Sequence, residues 1–352
     1  MSRVHRYLTA GMRSAKLLAT RHPSPGLRVS YGHDRIPGPG DRTSGGTAKF
    51  QKLATRFPSC PDDFTLLYLG SSGLPRDLGL LLALARRRGA PVVVNQDGVG
   101  YPAWAGERTG TVNGPLREAL RAADHVLYQT QFCKDDADRY LGEARGSWEI
   151  LPHAVDCDRF TPGPPPADGP VLLLAGNQTS ARRLELALQT FAEVRATHEG
   201  ARLLVTGELR PDDLARAVAV GAPVEVVGPY TQAEAPSLYR RAHLLLHTKV
   251  LDPCPNVVLE AMASGLPVVC PASGGTPELV GDGGIPVAHE VSHDRLSLPE
   301  PQAMAAGVEA VLGELEAFGE RARRRAETQF PLAPWLDRHA ELFATLLARP
   351  PK

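Results

Sequence analysis

The sequence predicts an α/β protein with two doubly wound domains that face each other across a cleft. Short apolar runs that suit buried parallel strands alternate with helical patterns in both halves of the chain. A proline-rich stretch at residues 159–170 separates the halves, because it can hold neither a helix nor an interior strand. The length of 352 residues also suits two domains.

The first half begins with a predicted amphipathic helix at residues 3–21, which we expect to pack on the domain rather than lie on a membrane surface. A candidate strand at 27–31 and a loop rich in glycine and proline follow. The remaining predicted elements are helix 48–56, strand 64–69, helix 78–88, strand 91–95, helix 116–123, strand 126–128, helix 132–141 and strand 148–151.

The second half repeats the alternation. Its predicted elements are strand 171–175, helix 181–196, strand 202–206, helix 211–220, strand 224–227, helix 233–241, strand 244–246 and strand 267–270. Between the last two strands, Asn256 is predicted to cap a helix that Gly265 closes. Gly274 and Gly275 open another helix, and the tail at 303–348 is helical with a break at 331–334. Helix N-termini therefore lie at strand ends, where open α/β sheets bind ligands.

Composition limits the partners and the compartment. Lys plus Arg and Asp plus Glu both number 39, so no general attraction to nucleic acid or to an anionic membrane is expected. The five cysteines form no CxxC pair, which favours a reducing compartment and predicts no zinc site. No run of about 18 uncharged apolar residues occurs. We expect a cytoplasmic protein, with peripheral membrane contact as a less favoured alternative.

Two carboxylates stand out in the stretch after residue 244. Asp252 lies in the predicted loop and Glu260 on the predicted helix, so the two can approach a bound molecule from different sides. A carboxylate that accepts hydrogen bonds from two vicinal hydroxyls holds a ribose or hexose well, because such charge-assisted bonds are strong. Asp252 as a turn residue and Glu260 as a surface carboxylate fit the spacing equally well.

This stretch resembles the carboxylate motif of retaining GT-B glycosyltransferases of the large family 4. In that family, two Glu separated by seven residues precede a Gly-Leu-Pro-Val-Val strand and a Gly-Gly-x-x-Glu turn. This chain has Leu259-Glu-Ala-Met262, Gly265-Leu-Pro-Val-Val269 and Gly274-Gly-Thr-Pro-Glu278, with Asp252 in place of the first Glu. The resemblance implies two Rossmann-like domains: an acceptor-side domain at 1–160 and a nucleotide-sugar domain at 161–330. A C-terminal helix at 331–352 could then pack back on the first domain.

The resemblance also implies roles for residues of the second half. Glu260 would hold the ribose of the donor and Asp252 the hydroxyls of its sugar. Backbone N–H groups near Cys254 and Asn256, and near Gly274, Gly275 and Thr276, would surround the sugar and the diphosphate.

A second match, Ala175-Gly-Asn-Gln-Thr-Ser-Ala-Arg-Arg183, follows a strand, as does the family's Gly-Arg and Lys-Gly segment. Gly176 corresponds to the glycine of that segment, the family's Arg falls on Asn177 and its Lys on Arg182. Arg182 would neutralise the departing diphosphate, with Arg183 as a neighbouring candidate. A solvated Arg pair at a helix start is the alternative interpretation.

The first half resembles the family weakly. Gly45 and Gly46 precede a helix and could form its glycine loop near the donor phosphates, with Lys49 close by, or a plain turn. Where many members have a His, this chain has Asn95-Gln-Asp97-Gly98, so Asp97 either contacts a substrate or shapes the turn. His125, His243 and His247 are predicted to be packing residues, and Asp156-Cys-Asp158 is not predicted to hold a metal.

The function implied by the resemblance is transfer of a hexose from a nucleoside diphosphate sugar to an unidentified acceptor hydroxyl, with retention and without metal or cofactor. Synthesis of a polysaccharide or glycoconjugate would be its setting. Two alternatives stay open. A nucleotide-sugar 2-epimerase would need an acid and base set in the first half. A non-catalytic sugar-nucleotide or glycan-binding relative would explain why Asp97, Asn177 and Asp252 depart from the pattern.

Overall fold

The structure is a computed structural model that describes residues 24–38, 40–41, 45–179, 182–221 and 223–349. The amphipathic helix predicted at 3–21 lies outside these residues. Within the described residues, none of the helices is long and apolar enough to span a bilayer.

The first half forms a parallel sheet in which the described strands follow their chain order, β1-β2-β3-β4-β5. These strands are β1 Val29–Ser30, β2 Leu66–Gly70, β3 Val92–Gln96, β4 His125–Tyr128 and β5 Ser147–Ile150. The helices of this half are α1 Gly45–Ala54, α2 Leu78–Arg88, α3 Pro102–Ala105, α4 Thr109–Ala122 and α5 Gln131–Tyr140. Strands β2, β3 and β4 are buried at every position, since helices cover both faces.

The second half forms a parallel sheet with the order β11-β10-β9-β6-β7-β8 in the described residues. Its strands are β6 Val171–Leu174, β7 Arg202–Thr206, β8 Val224–Gly228, β9 Leu244–Leu246, β10 Val268–Pro271 and β11 Gly284–Val287. Its helices are α6 Arg183–Thr197, α7 Pro211–Ala219, α8 Ala235–Tyr239, α9 Asn256–Ala263, α10 Thr276–Val280, α11 Pro301–Gly313 and α12 Leu315–Gln329. The strand order reverses between β6 and β9, which is the point where doubly wound sheets bind ligands.

The last helix, α13 Leu332–Leu347, packs against the first sheet. Its apolar face joins Tyr31, Phe50 and Tyr68 in one buried cluster. The chain passes between the halves at two adjacent places, where the N–H of Val155 donates to the carbonyl oxygen of Phe330 at 2.8 Å. The domain limits predicted from the sequence stay a prediction.

Three local differences from the predicted elements have physical causes. Helix α4 begins at Thr109 rather than 116, because the Asn113 side chain bonds both backbone groups of Gly100 and holds the polar first turns. The sequence interpretation missed β11, a short edge strand that contains Pro286. Pro255, which makes no capping side-chain hydrogen bond, occupies the N-cap position of α9. Asn256 is the first helical residue and accepts a hydrogen bond from Lys52 Nζ at 2.9 Å.

Helix α13 carries a buried histidine, His339, with a hydrogen-bond partner at each ring nitrogen. His339 Nδ1 donates to the carbonyl oxygen of Trp335 at 2.8 Å, and Nε2 accepts from the hydroxyl of Tyr68 at 3.2 Å. Burial lowers the pKa of His339 from 6.5 to about 4. The neutral ring is therefore the form that the fold accommodates.

We expect His339 to make the free energy of unfolding fall as the pH drops. Because its folded pKa lies below its unfolded pKa, its contribution is present above pH 6.5 and is lost as the pH falls toward 4. Between pH 7 and pH 5 this one group costs about 2 kcal/mol. Urea unfolding of the wild type and of His339→Gln at pH 7 and pH 5 measures this change in the free energy of unfolding. An equal pH dependence in the two proteins would contradict the assignment.

Candidate active site

A cavity of about 1550 Å³ lies at the carboxyl ends of strands from both sheets. Its lining includes Ser71 and Asp97, which follow β2 and β3, and Gly176 and His247, which follow β6 and β9. The cavity therefore opens at the point where the strand order of the second sheet reverses. Sites for one small molecule usually measure about 300–1,000 Å³, so this cavity has room for two.

The two neighbouring arginines predicted near the diphosphate have different surroundings. Arg183 is buried, lines the cavity, and donates from Nη1 to the carbonyl oxygen of Asn177 at 2.6 Å. Arg182 is exposed, pairs with Glu185 at 3.0 Å, and does not belong to the cavity lining. This corrects the predicted placement of Arg182. Its backbone is left-handed, with φ of 61°.

Arg183 is a cation in an unusual position. It is the first residue of α6, where the helix dipole disfavours positive charge. Burial lowers the pKa of its guanidinium, and the negative charge of Asp252 opposes that shift. A bound anion would offset both the cost of burying this charge and the cost of placing it at the start of a helix.

Asp252 is buried in the cavity wall with two partners. Its Oδ1 accepts from Lys249 Nζ at 3.0 Å, and its Oδ2 lies 3.3 Å from His247 Nε2. Burial acts to raise the pKa of this carboxyl, but Lys249 and His247 outweigh it and leave the pKa below its usual value. Asp252 is thus an ionised acceptor that faces the cavity.

His247 was predicted to be a packing residue, and its side chain is indeed buried, but the structure also places it in the cavity wall. It lines the cavity beside Asp252, its Nε2 lies 3.3 Å from Asp252 Oδ2, and its Nδ1 has no hydrogen-bond partner within the described part of the chain. Burial lowers its pKa, and the carboxylate of Asp252 opposes that shift. The signal that could have revealed it is its position directly after β9, at the carboxyl end of a central strand.

Glu260 lies on α9 in a buried polar network. Its carboxylate accepts from the hydroxyl of Tyr239 at 2.8 Å and from Gln232 Nε2 at 3.3 Å. Burial raises the pKa of Glu260, and the charge of Lys52 opposes the rise. Lys52 comes from α1 of the first half and donates to Asn256 Oδ1 and, at 2.6 Å, to the carbonyl oxygen of Ala154. Groups from both halves of the chain therefore influence the pKa of Glu260.

The loop between Asp252 and Asn256 contributes further cavity residues. Cys254 and Asn256 both line the cavity. Burial raises the pKa of the Cys254 thiol to about 12, so this cysteine is a neutral wall residue and not a nucleophile.

The double glycine has a different role from the one predicted. Gly274, Gly275 and Thr276 are not part of the cavity lining. The N–H of Gly275 donates to the carbonyl oxygen of Asp252 at 2.9 Å, and a Cβ at Gly275 would lie 2.0 Å from the carbonyl oxygen of Pro253. These residues pack against the Asp252 loop and do not line the cavity. Only glycine permits so close an approach of the two backbones.

On the opposite side of the cavity, α1 begins at Gly45, and Gly46 lines the wall. A Cβ at Gly46 would lie 2.3 Å from Ser72 Oγ. Asp97 accepts from Lys49 Nζ at 2.5 Å and Gln129 Nε2 at 2.9 Å through Oδ1, and from the hydroxyl of Ser72 through Oδ2. Asp97 is therefore a rigid, charge-compensated acceptor in the cavity wall.

Comparison with known proteins assigns the second half to a family. Residues 169–320 match the family described as Glycosyl transferases group 1. These residues form a group 1 glycosyltransferase domain. The chain is 28% identical over 251 residues to the D-inositol 3-phosphate glycosyltransferase of Kineococcus radiotolerans, covering 63% of this chain and 57% of the relative. It spans about half the length of the curated relatives that it matches.

Solved structures share the architecture of most of this chain. Sucrose-phosphate synthase from Thermosynechococcus elongatus superposes with a TM-score of 0.66 at 18% identity, covering 85% of this chain and 76% of the other. Anabaena HepE in complex with UDP-glucose gives 0.62 at 17% identity, covering 85% and 82%. These likenesses confirm the predicted α/β class and GT-B fold.

In the group 1 glycosyltransferase domain, the structure brings most of the predicted site residues to one cavity. Those that line it are Gly176, Asn177, Arg183, Asp252, Cys254, Asn256 and Glu260, and the first half adds Gly46 and Asp97. Sequence reasoning missed His247 as a cavity residue, and it missed Lys52, Gln232 and Tyr239 as partners around Glu260. Those three lie far from Glu260 in the sequence or on another element, so no local motif includes them.

Proposed function

We propose that this protein is a glycosyltransferase that moves a hexose from a nucleoside diphosphate sugar to an acceptor hydroxyl with retention of configuration. The observation that carries the proposal is that Arg183, Asp252 and Glu260 line one cavity at the strand-order reversal of a group 1 glycosyltransferase domain. The fold neighbour HepE in complex with UDP-glucose supports a nucleotide-sugar donor.

The three side chains suit three parts of such a donor. The Glu260 carboxylate, held by Tyr239, accepts hydrogen bonds from the ribose hydroxyls. Arg183 and the N-terminus of α6 face the diphosphate, whose negative charge compensates the buried guanidinium. Asp252, kept ionised by Lys249, accepts from hydroxyls of the hexose. We assign the catalytic cation to Arg183 rather than to Arg182.

The proposed chemistry needs no protein group that bonds covalently to the sugar. The bond between the anomeric carbon and the diphosphate oxygen breaks, and the acceptor oxygen bonds to that carbon on the same face. The acceptor proton passes to an oxygen of the departing diphosphate. Arg183 and the helix dipole stabilise the charge that develops on the diphosphate, so the mechanism includes no metal.

Nucleotide release from purified protein tests the proposal. The protein is incubated with UDP-, GDP- and ADP-sugars, with and without acceptor alcohols, and we expect release from one of these donors. Release from none of them, together with thermal stabilisation by a donor, would instead favour a non-catalytic binding protein. Conversion of the donor sugar to its 2-epimer would favour the epimerase.

Glu260→Gln is expected to raise KM for the donor about 10- to 100-fold, because a charged hydrogen bond contributes about 1.5–3 kcal/mol. Steady-state kinetics with the donor identified above measures the change. Glu185→Gln is the matched control, since Glu185 lies in the same domain but pairs with Arg182 outside the cavity lining. Equal KM values for Glu260→Gln and wild type would contradict a ribose contact.

A further inference from the structure

Beyond Asp97, apolar side chains form part of the cavity wall in the first half. We name this wall the apolar arm and define it by residues from four segments of the first half and one of the second. It consists of Leu74, Leu78, Val99, Trp104, Leu116 and Leu296. The donor-binding residues proposed above all belong to the second half, so the apolar arm is free for a second molecule.

The base of the apolar arm is rigid because it is also the core of the first half. Leu78, Val99 and Leu116 are buried members of the hydrophobic cluster between α2, α4 and the sheet. Their positions are set by the packing of that cluster and require no ligand. The arm is therefore a preformed apolar surface, which is typical of small-molecule sites.

Trp104 is the most exposed element of the arm. The residue is 51% exposed, although its Nε1–H already donates to the carbonyl oxygen of Val99 at 3.0 Å. The ring packs edge-on against Tyr101, with centroids 6.1 Å apart. The indole thus presents carbon surface and no free donor. A large aromatic ring held exposed at a cavity edge is a favourable contact for an apolar ligand.

The second half holds the opposite edge of the arm in place. Leu296 belongs to the segment between β11 and α11, which reaches the first half at His293. The carbonyl oxygen of His293 accepts from the N–H of Ala103 at 2.8 Å, and its ring stacks on Phe132. This contact lies next to Trp104 in the chain, so Leu296 and Trp104 are fixed in relation to each other.

Charge does not favour a strongly ionic occupant. The ionic side chains of the first half that line the cavity are Arg76, Asp97 and Glu118 among the described residues. Asp97 is compensated by buried Lys49, and Arg76 and Glu118 are exposed and of opposite sign. A phosphorylated or highly charged acceptor would need fixed, uncompensated cations in this region.

We propose that the acceptor is an amphiphilic alcohol, whose hydroxyl lies beside Asp97 and whose apolar body lies against Trp104 in the apolar arm. This inference rests on the proposed function, because it names the acceptor of that same reaction. Its apolar body can be an alkyl chain, as in a lipid, or a ring system. Both have the same chemistry toward the arm, and the experiment distinguishes them.

The test compares acceptors with the same sugar hydroxyls and different tails, each below its micelle concentration. We expect kcat/KM for octyl β-glucoside to exceed that for methyl β-glucoside by about tenfold or more, since two buried methylene groups suffice for this difference. Phenyl β-glucoside in the same assay separates a preference for rings from a preference for chains.

Trp104→Ala should lower octyl transfer about tenfold and bring the octyl-to-methyl ratio toward one. Trp148→Ala, at an exposed tryptophan on β5 that does not belong to the cavity lining, should leave the ratio unchanged.

A second measurement does not depend on turnover. A Trp148→Phe protein keeps Trp104 and the buried Trp335. In this protein, octyl β-glucoside should shift the tryptophan emission to shorter wavelength through its contact with Trp104, and methyl β-glucoside should not. Equal transfer to the two acceptors without an emission shift overturns the inference, and donor cleavage in the same samples shows that the proposed function survives. If no donor is cleaved with any acceptor, the proposed function fails and the acceptor assignment fails with it, even if the emission shift occurs.

Discussion

Arg183→Ala is expected to lower kcat/KM for transfer about 100- to 1000-fold, which is the usual loss when one preorganised charge-stabilising donor is removed. Arg182→Ala should leave kcat/KM within about twofold, since substitutions of exposed residues rarely change energies by more than 0.5 kcal/mol. The two residues are adjacent and chemically identical, so the pair isolates the effect of position. Steady-state kinetics of both variants with the same donor measures the difference.

The expected difference follows from the backbone around these residues. The guanidinium of Arg183 is already oriented by the carbonyl oxygens of Asn177 and Ala175, whereas that of Arg182 pairs with Glu185. Reorganisation in the transition state is therefore small for Arg183. Arg183→Lys should recover only part of the activity, because a single ammonium cannot reproduce the planar fork.

Thermal unfolding of both variants serves as the control for folding, since Arg183 is buried and also bonds the loop. A large loss of activity in Arg182→Ala with full activity in Arg183→Ala would overturn the assignment and restore the one made from sequence.

Lys49→Met is expected to lower the free energy of unfolding by about 3–5 kcal/mol, because it leaves the buried carboxylate of Asp97 without its cation. Lys49 is fully buried and reaches both Asp97 and Asn95 Oδ1, the latter at 2.7 Å. The double variant Lys49→Met/Asp97→Asn should recover most of the loss, because it removes both charges. Urea unfolding at pH 7 measures all three proteins.

The matched control for this cycle is Arg241→Met. Arg241 pairs with Glu225 at 2.7 Å, but both side chains are about half exposed. Its loss should cost less than about 1 kcal/mol. If Lys49→Met is no more destabilising than Arg241→Met, Asp97 is not a charge-compensated acceptor and its proposed place beside the acceptor hydroxyl loses its basis.

Most strands could be predicted from the sequence because buried parallel strands are continuous apolar runs. The runs at 202–206 and 244–246 have the same limits in the structure as in the prediction. Strand β11 could not be predicted this way, since Gly284-Ile-Pro-Val287 is short and contains a proline that only an edge strand tolerates. The start of α4 depends on Asn113 bonding Gly100, a contact that no helical period encodes.

The sequence by itself predicted that Asp252, Glu260 and the turn after β6 that contains Gly176 lie close together, because each follows or flanks a strand that ends at the same edge of the sheet. Only the tertiary structure decided which side chains face the cavity. Arg183 lines the cavity whereas the adjacent Arg182, with its left-handed backbone, is exposed, and Lys49 meets Asp97 across 48 residues of chain. Side-chain direction depends on single backbone dihedrals and on contacts between distant segments, and neither leaves a periodic signal in the sequence.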